Sequence, residues 1–252
     1  NAALAFPAVT GKNDTRVFRF YCELKEEIKE ENLQEALERT LEKYPLFRAV
    51  LRKGLFWFYL ERRDIPAVAK KEAGAPCSGL YIPDKKTLLF RVSYYKNRIN
   101  FEVFHALTDG TGATEFLREL VKNYLYLIHE EDLEPVELSN QYLTVKDQED
   151  DSFSRYYDPD FPRKKKKKIR AVQIKKGGKG YEELQINEAS MSVKELLGIA
   201  REKKVSMSVL LTAAFICAIH EEMSRMQEKK PVILMVPVNL RKIFPSDSML
   251  NF

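Results

Sequence analysis

Histidine, cysteine and tryptophan are scarce in this sequence of 252 residues, which has three His, three Cys and one Trp. Cys22, Cys77 and Cys217 are odd in number, lie far apart and form no Cys-x-x-Cys pair. That argues against a disulfide framework and a thiolate metal site, and fits reduced, buried thiols in a cytosolic protein. With so few His residues and no ligands at matching spacing, no metal is expected. No apolar run reaches the length of a membrane span. The most apolar stretch, Val209 to Ile219, is short and ends in His220-Glu221-Glu222. The sequence starts at Asn1 rather than Met, so a missing leader carries little weight. The expected location is cytoplasmic.

An excess of one charge is lacking as well. There are 42 Lys plus Arg against 37 Asp plus Glu, a formal net charge of +5. Much of the excess sits in the run Arg163 to Lys168, read as a solvated segment, so the rest of the chain is near neutral and nucleic acid is not an expected partner. What is present is ordinary globular material. Hydrophobic residues make up 44%, with 15 Phe and 12 Tyr, enough for one large domain or two modest ones with a real core.

Hydrophobic periodicity divides the chain. Arg16 to Leu24 alternates, placing Phe18, Phe20, Cys22 and Leu24 on one face of a half-buried strand. Leu33, Ala36, Leu37, Leu41 and Tyr44 form one stripe of a helix that Pro45 closes. Short strands are expected at 47–52 and 55–61 around Lys53-Gly54, with Trp57 in core or edge packing. A Pro- and Gly-rich loop is expected from Asp64 to Asp84. Leu88 to Tyr95 and Arg98 to His105 read as a hairpin about Lys96-Asn97, with Ile99, Phe101, Val103 and His105 on one face. Thr111 to Ile128 reads as a helix, with Thr111 as its cap.

From about 130 to 180 the character changes. Asp147 to Asp151 is acidic, Arg163 to Lys168 basic, and Lys175 to Gly180 rich in Gly, which reads as a solvated crossover between lobes. Gly177-Gly178-Lys179-Gly180 lacks the spacing of a phosphate-binding loop. Beyond it come a possible strand at 182–188, a helix capped by Ser192 with Glu195, and a buried helix from Ser208 to Arg225 that is apolar nearly all round. A buried strand over Pro231 to Val238 follows. The division expected is 1–160, a linker at 161–180, and the start of a second lobe at 181–252.

One His stands apart. His105 ends an apolar strand and is followed by Ala106-Leu107-Thr108-Asp109-Gly110-Thr111-Gly112, whose glycines admit backbone angles a Cβ would forbid. An imidazole at a strand end, aimed into a cleft, can take a proton from an alcohol or amine near neutral pH. Asp109 would point elsewhere and fix the loop through a salt bridge. By itself the pattern fits equally well a buried, satisfied His beside a helix-capping Asp. His129 and His220 read as helix-end and helix-face residues.

His105 to Gly110 has the form His-x-x-x-Asp-Gly, between a strand and a helix. In this the sequence resembles the acyltransferase superfamily that includes chloramphenicol acetyltransferase, peptide-synthetase condensation domains, plant acyltransferases and alcohol acetyltransferases. Leu33 to Leu51 (ending Tyr44-Pro45-Leu46-Phe47-Arg48), Lys203 to Leu211, and Val236-Pro237-Val238-Asn239-Leu240-Arg241 followed by Phe244-Pro245 and Asn251 are similar to further segments of the family. The bacterial alcohol acetyltransferases are the closest in look. The resemblance implies an α/β fold: a two-layer lobe with a mixed, largely antiparallel sheet and helices on one face, plus an incomplete second lobe.

It also implies that His105 is the general base and that the co-substrate is an acyl-CoA such as acetyl-CoA, or a carrier-bound acyl group. The acceptor would be a small alcohol or amine, and no cofactor would be bound. Asp109 and Gly110 would support the loop, with Arg48 as the Asp109 partner. Asn239 and Arg241 would lie in a loop near the site, where Arg241 either shapes the site or makes a structural ion pair. The sequence does not identify the oxyanion donor, whose loss in enzymes generally costs about 3 kcal/mol. Two departures matter. Phe104 stands where condensation domains usually have a second His, which favours simpler acyltransferases. The chain also stops at Phe252, before the family's second-lobe sheet and its Asp-Phe-Gly-type segment. A chain ending there would lack half of the acyl channel's walls and could self-associate or serve as a non-catalytic scaffold.

Overall fold

In the computed structural model the described residues are 6–11, 14–83, 85–129, 144–161, 169–173 and 186–252. The chain divides into two compact units, one of residues 1–159 with 239–252 and the other of residues 160–238. Residues 239–252 thus join the first unit, although their position in the chain suggests the second. The basic run Arg163 to Lys168, the Gly-rich stretch to Gly180, Asp84 and most of the strand expected at 182–188 lie outside the described residues.

The first unit is a mixed α/β structure. After a short helix α1 (Phe6–Val9), strand β1 (Val17–Glu23) leads to helix α2 (Glu30–Lys43). A 3-10 turn at Pro45–Arg48 precedes β2 (Ala49–Lys53) and β3 (Phe58–Arg62). Then come β4 (Lys70–Lys71), β5 (Phe90–Tyr95), β6 (Arg98–Phe104) and helix α3 (Gly110–Ile128). The main sheet has the order β1-β6-β5-β4, in which only the β4–β5 pair is parallel. β2 and β3 form a separate antiparallel pair.

The register explains the two faces. Phe20, Phe101 and Val92 stand opposite one another across three strands. On that face Phe101 stacks on Phe116 of α3 at 4.8 Å between ring centroids, and Phe47 packs on Phe116 at 4.1 Å. The stripe of α2, with Leu33, Leu37 and Leu41, joins the same buried cluster. Burying each such side chain contributes about 1.5–3 kcal/mol. The other face carries Phe104, stacked on Tyr81 at 5.5 Å between ring centroids, and next to it a charged cluster. Arg19, Glu102 and Arg91 are in register there. The buried Glu102 carboxylate accepts from Arg19 Nε at 2.9 Å and Nη2 at 2.6 Å, from Arg91, and from the Cys77 backbone N–H at 2.7 Å. A buried charge needs such partners.

Several expectations need correction. The stretch from Asp64 to Asp84 is not all loop, because Lys70 and Lys71 pair with Ser93 and Tyr94. Trp57 is neither core nor edge packing: it is 65% exposed, at a turn closed by Gly54 N–H donating to the Trp57 carbonyl. The acidic stretch is not a crossover. It runs from the end of one short helix, α4 (Val145–Gln148), to Asp151, the N-cap of another, α5 (Ser152–Tyr156), and this region is tied to the last residues of the chain. Met249 N–H donates to the Gln148 carbonyl at 2.8 Å, and the Tyr156 hydroxyl donates to the Pro245 carbonyl at 2.7 Å.

In the second unit, helix α6 (Val193–Glu202) takes its cap from Ser192, whose hydroxyl accepts from Glu195 N–H. Helix α7 (Met207–Glu221) is apolar around its circumference but not buried. Of its residues only Ile219 is, while Val209, Leu211, Phe215 and Ile216 are exposed. Pro231 to Val238 is neither a strand nor buried, with Met235 93% exposed. Among the described residues this unit has no strand, so an apolar run there finds no ladder to join. Cys217 on α7 is exposed and Cys22 and Cys77 are half-buried, so the expected burial of the thiols does not hold. Among the described residues no single helix is long and apolar enough to cross a membrane. α6 and α7 would pass together on length and composition, but bend by 88° at their junction.

Candidate active site

The hairpin delivers His105. β6 ends at Phe104, whose N–H donates to the Leu89 carbonyl at 2.8 Å, and the next N–H, of His105, donates to the Arg16 carbonyl at 2.8 Å. The backbone of His105 is therefore pinned on the β1 side just past the strand. The chain then turns, with Leu107 N–H returning to the Phe104 carbonyl. Ala106, Leu107 and Thr108 are fully buried in that turn, which anchors the loop beneath the imidazole.

The ring of His105 is only partly buried. Phe18 of β1 packs on it at 4.9 Å between centroids, and Phe6 of α1 at 4.8 Å. Its Nδ1 lies 3.0 Å from Asn251 Oδ1, and Asn251 Nδ2 donates to the His105 carbonyl at 2.9 Å. No described residue hydrogen-bonds Nε2.

Asp109 is the N-cap of α3, in place of Thr111. Its backbone is extended, and its Oδ1 accepts from Thr111 N–H at 3.0 Å and Gly112 N–H at 3.1 Å. A carboxylate at that position satisfies the helix's first unpaired donors and complements its dipole. Its other oxygen, Oδ2, accepts from Arg241 Nη1 at 2.6 Å and from Phe252 N–H at 3.1 Å. The partner of Asp109 is therefore Arg241, not Arg48. Arg48 ends the 3-10 turn, and its Nη1 reaches Asp64, a fully exposed side chain, at 3.4 Å.

Arg241 does more than pair. Its Nη2 donates to the carbonyls of Ser248 at 2.8 Å and Leu250 at 2.7 Å. Its own N–H is held by Asn239 Oδ1 at 3.0 Å, and Asn239 Nδ2 donates to Thr111 Oγ1 at 3.2 Å. Thr108 Oγ1 donates to the Met249 carbonyl at 2.5 Å. Residues 239–252 thus form a strap over the start of α3, bonded to the loop on both sides of Asp109.

That strap also explains the second glycine. A Cβ on Gly112 would sit 2.1 Å from Thr108 Oγ1 and 2.5 Å from the Met249 carbonyl oxygen, so the close approach of the strap demands Gly there. Neither Gly110 nor Gly112 has a positive φ, and a Cβ on Gly110 would meet only Phe20 at 3.8 Å. The glycines are therefore not needed for unusual backbone angles.

His129 caps the end of α3, with its Nε2 3.6 Å from Glu26, and His220 is exposed on α7. Among the described residues no group of three or more His, Cys, Asp or Glu could hold a metal ion. Among the described residues, His105 lines neither of two cavities. One of about 180 Å³ beside the charged cluster of the sheet is lined by Arg19, Lys70, Lys71 and Arg91. Another of about 840 Å³ within the second unit is lined by Val172, Phe215, Ile219 and Met226.

The sequence brought out His105, Asp109, Gly110, Asn239 and Arg241, and these do come together. Asn251 appeared only as part of a resembling segment, and Phe6 and Phe18 not at all as site residues. Phe18 was legible as a residue on the apolar face of β1, the face that β6 extends to His105. No local pattern marks Phe6 or Asn251, which reach the ring from distant parts of the chain.

No family model matches this sequence, and no curated protein matches it. Among solved structures, the starter condensation domain of rhizomide synthetase RzmA is similar over 54% of this chain and 37% of its own, at 13% identity and a TM-score of 0.43. A variant of that domain in complex with C8-CoA aligns over 49% and 32%, at 16% identity and 0.38. Polyketide synthase associated protein 5 from Mycobacterium tuberculosis aligns over 48% and 32%, at 17% identity and 0.37. The chain spans about a third of the length of each of these structures.

Proposed function

We propose that this chain carries the general-base side of an acyl-transfer site, with His105 as the base. A small alcohol or amine would lose its proton to the imidazole as its oxygen or nitrogen attacks the carbonyl of an acyl thioester. The C–S bond then breaks, and the thiolate leaves with the proton that His105 held. No covalent acyl-enzyme is involved. The donor is an acyl-CoA, acetyl-CoA among the candidates, or an acyl group on a carrier protein.

One observation carries this reading. The Asp109 carboxylate is occupied by the helix start, Arg241 and the Phe252 N–H. It has no oxygen left to serve the imidazole, so His105 stands as a lone base on a locked loop rather than as part of a carboxylate–His dyad. Its ring is held by Asn251 at Nδ1 and by the tilted rings of Phe6 and Phe18, while the residue stays partly exposed.

The test is thiol release from acyl-CoA donors of different chain lengths, with a panel of alcohols and amines. The purified protein should turn over at least one pair, and His105→Ala should lower kcat by about 10²–10⁴-fold, the range of a general base. Turnover unchanged in that variant would end the assignment.

A second reading, a non-catalytic association module, is favoured by the apolar surface of the second unit, where Phe215, Met226 and Met235 are exposed. Sedimentation showing concentration-dependent assembly, with no turnover of any donor, would favour it.

A further inference from the structure

The contacts of Asn251 decide more than the position of the ring. A primary amide has one oxygen that only accepts and one nitrogen that only donates. Asn251 uses the nitrogen on the carbonyl of His105 at 2.9 Å, and a carbonyl can only accept. That fixes which way the amide faces. Its oxygen then lies 3.0 Å from His105 Nδ1, so the hydrogen in that contact must be on Nδ1. In a neutral imidazole the other nitrogen, Nε2, is left with the lone pair.

Asn251 cannot easily turn away. The residue before it is held through its carbonyl by Arg241 Nη2, and the residue after it through its N–H by Asp109 Oδ2. Arg241 and Asp109 are also bonded to each other. The Asp109–Arg241 pair therefore grips the backbone on either side of Asn251, and the Asn251 amide grips both the backbone and the ring of His105.

We infer that Asn251 is a positioning residue that sets the tautomer of His105, keeping Nδ1 protonated and presenting Nε2 as the base. The bond suits both states of a catalytic cycle, since Nδ1 donates to Asn251 whether the ring is neutral or has just gained a proton on Nε2. Asp109 would then act on the imidazole through the strap rather than by touching it. The inference rests on the acyl-transfer reading only for what Nε2 does with its lone pair. The tautomer itself does not depend on that reading.

The experiment is long-range 1H–15N correlation of the His side chains in the full chain, at a pH where the rings are neutral. His105→Ala assigns the signal. The expected result is a His105 ring protonated at Nδ1, and in Asn251→Ala a shift of population towards protonation at Nε2. Asn251→Ala should also lower kcat by about 10-fold or more with KM little changed. Asn251→Asp keeps an acceptor at Nδ1 and adds a negative charge beside the ring. It should retain the Nδ1–H pattern and move the acid limb of the pH–rate profile up by about one unit or more. A wild-type His105 protonated mainly at Nε2 would overturn the inference even if both variants failed to fold. So would an Asn251→Ala protein whose tautomer does not change. Undiminished turnover in His105→Ala would instead sink the acyl-transfer reading and leave the tautomer result standing.

Discussion

Phe116 and Phe215 are both mid-helix phenylalanines in apolar surroundings, yet the first has no exposed surface and the second is 58% exposed. Phe116 belongs to α3, whose apolar residues form a stripe and whose other face is polar. That stripe meets a sheet that alternates with the opposite period, and the two fit. Phe215 belongs to α7, which is apolar all round and so has no preferred face to turn inward. Among the described residues of its unit there is no sheet to receive it. Apolar content alone does not bury a residue. A matching surface is needed, and among the described residues the first unit supplies one within itself while the second does not.

The sharpest way to break that comparison is to make the same substitution in both helices. Phe116→Ala removes a ring stacked on Phe101 and packed on Phe47, and should destabilise the first unit by about 4 kcal/mol. Phe215→Ala removes a ring from a largely exposed site and should change stability by less than about 0.5 kcal/mol. Native-state hydrogen exchange of the α3 and α7 amides reads the two units separately. Similar losses in both helices would show that Phe215 is buried in solution after all.

A second contrast lies inside the first unit. Arg241 is nearly buried against Asp109, with 10% and 15% of the two side chains exposed. Arg241→Ala leaves that carboxylate without its cation and releases the Ser248 and Leu250 carbonyls, and should cost about 3 kcal/mol. Arg48 faces a fully exposed Asp64 at 3.4 Å, so Arg48→Ala should cost less than about 1 kcal/mol. Urea unfolding of the two variants decides it. The reverse order would restore Arg48 as the partner that holds the loop.

Much of the first unit could be read in advance because its signals are local. β1, α2, the β5–β6 hairpin and α3 each announce themselves by period. His105 and Asp109 fall at a strand end and a helix start, where a pattern change marks the spot. What could not be read is what depends on distance in the chain. The resemblance put Arg241 near the site, but that Arg241 rather than Arg48 meets Asp109, and that Asn251 meets His105, are contacts across more than a hundred residues that no spacing rule connects. The same applies to Gly112, whose need for hydrogen at Cα comes from the Met249 backbone passing over it. The second unit misled for a different reason. The apolar runs of α7 and Pro231 to Val238 imply burial only if something covers them, and a sequence pattern cannot supply the cover.

The smallest expected effect concerns the charged cluster on the sheet. Burial alone would push the Glu102 carboxyl up, but the Cys77 N–H and the Arg91 and Arg19 guanidinium groups outweigh it and hold it below its ordinary 4.5. A carboxylate with a lowered folded value stabilises fully above the unfolded value, and that contribution is lost as pH falls through the folded one. Glu102→Gln keeps the shape and one acceptor but removes the charge that both guanidinium groups share. It should cost about 2 kcal/mol at pH 7, in the range for hydrogen bonds to charged groups. Because protonation removes the same charge from the wild type, the gap between the two proteins should close as pH falls below 4.5. Glu102 pairs across β1, β6 and β5, so the change should appear in the protection of those strands and leave α7 unaffected. A gap that stayed constant with pH would mean that the substitution acts through packing, and that the charge on this face contributes nothing to holding the first unit together.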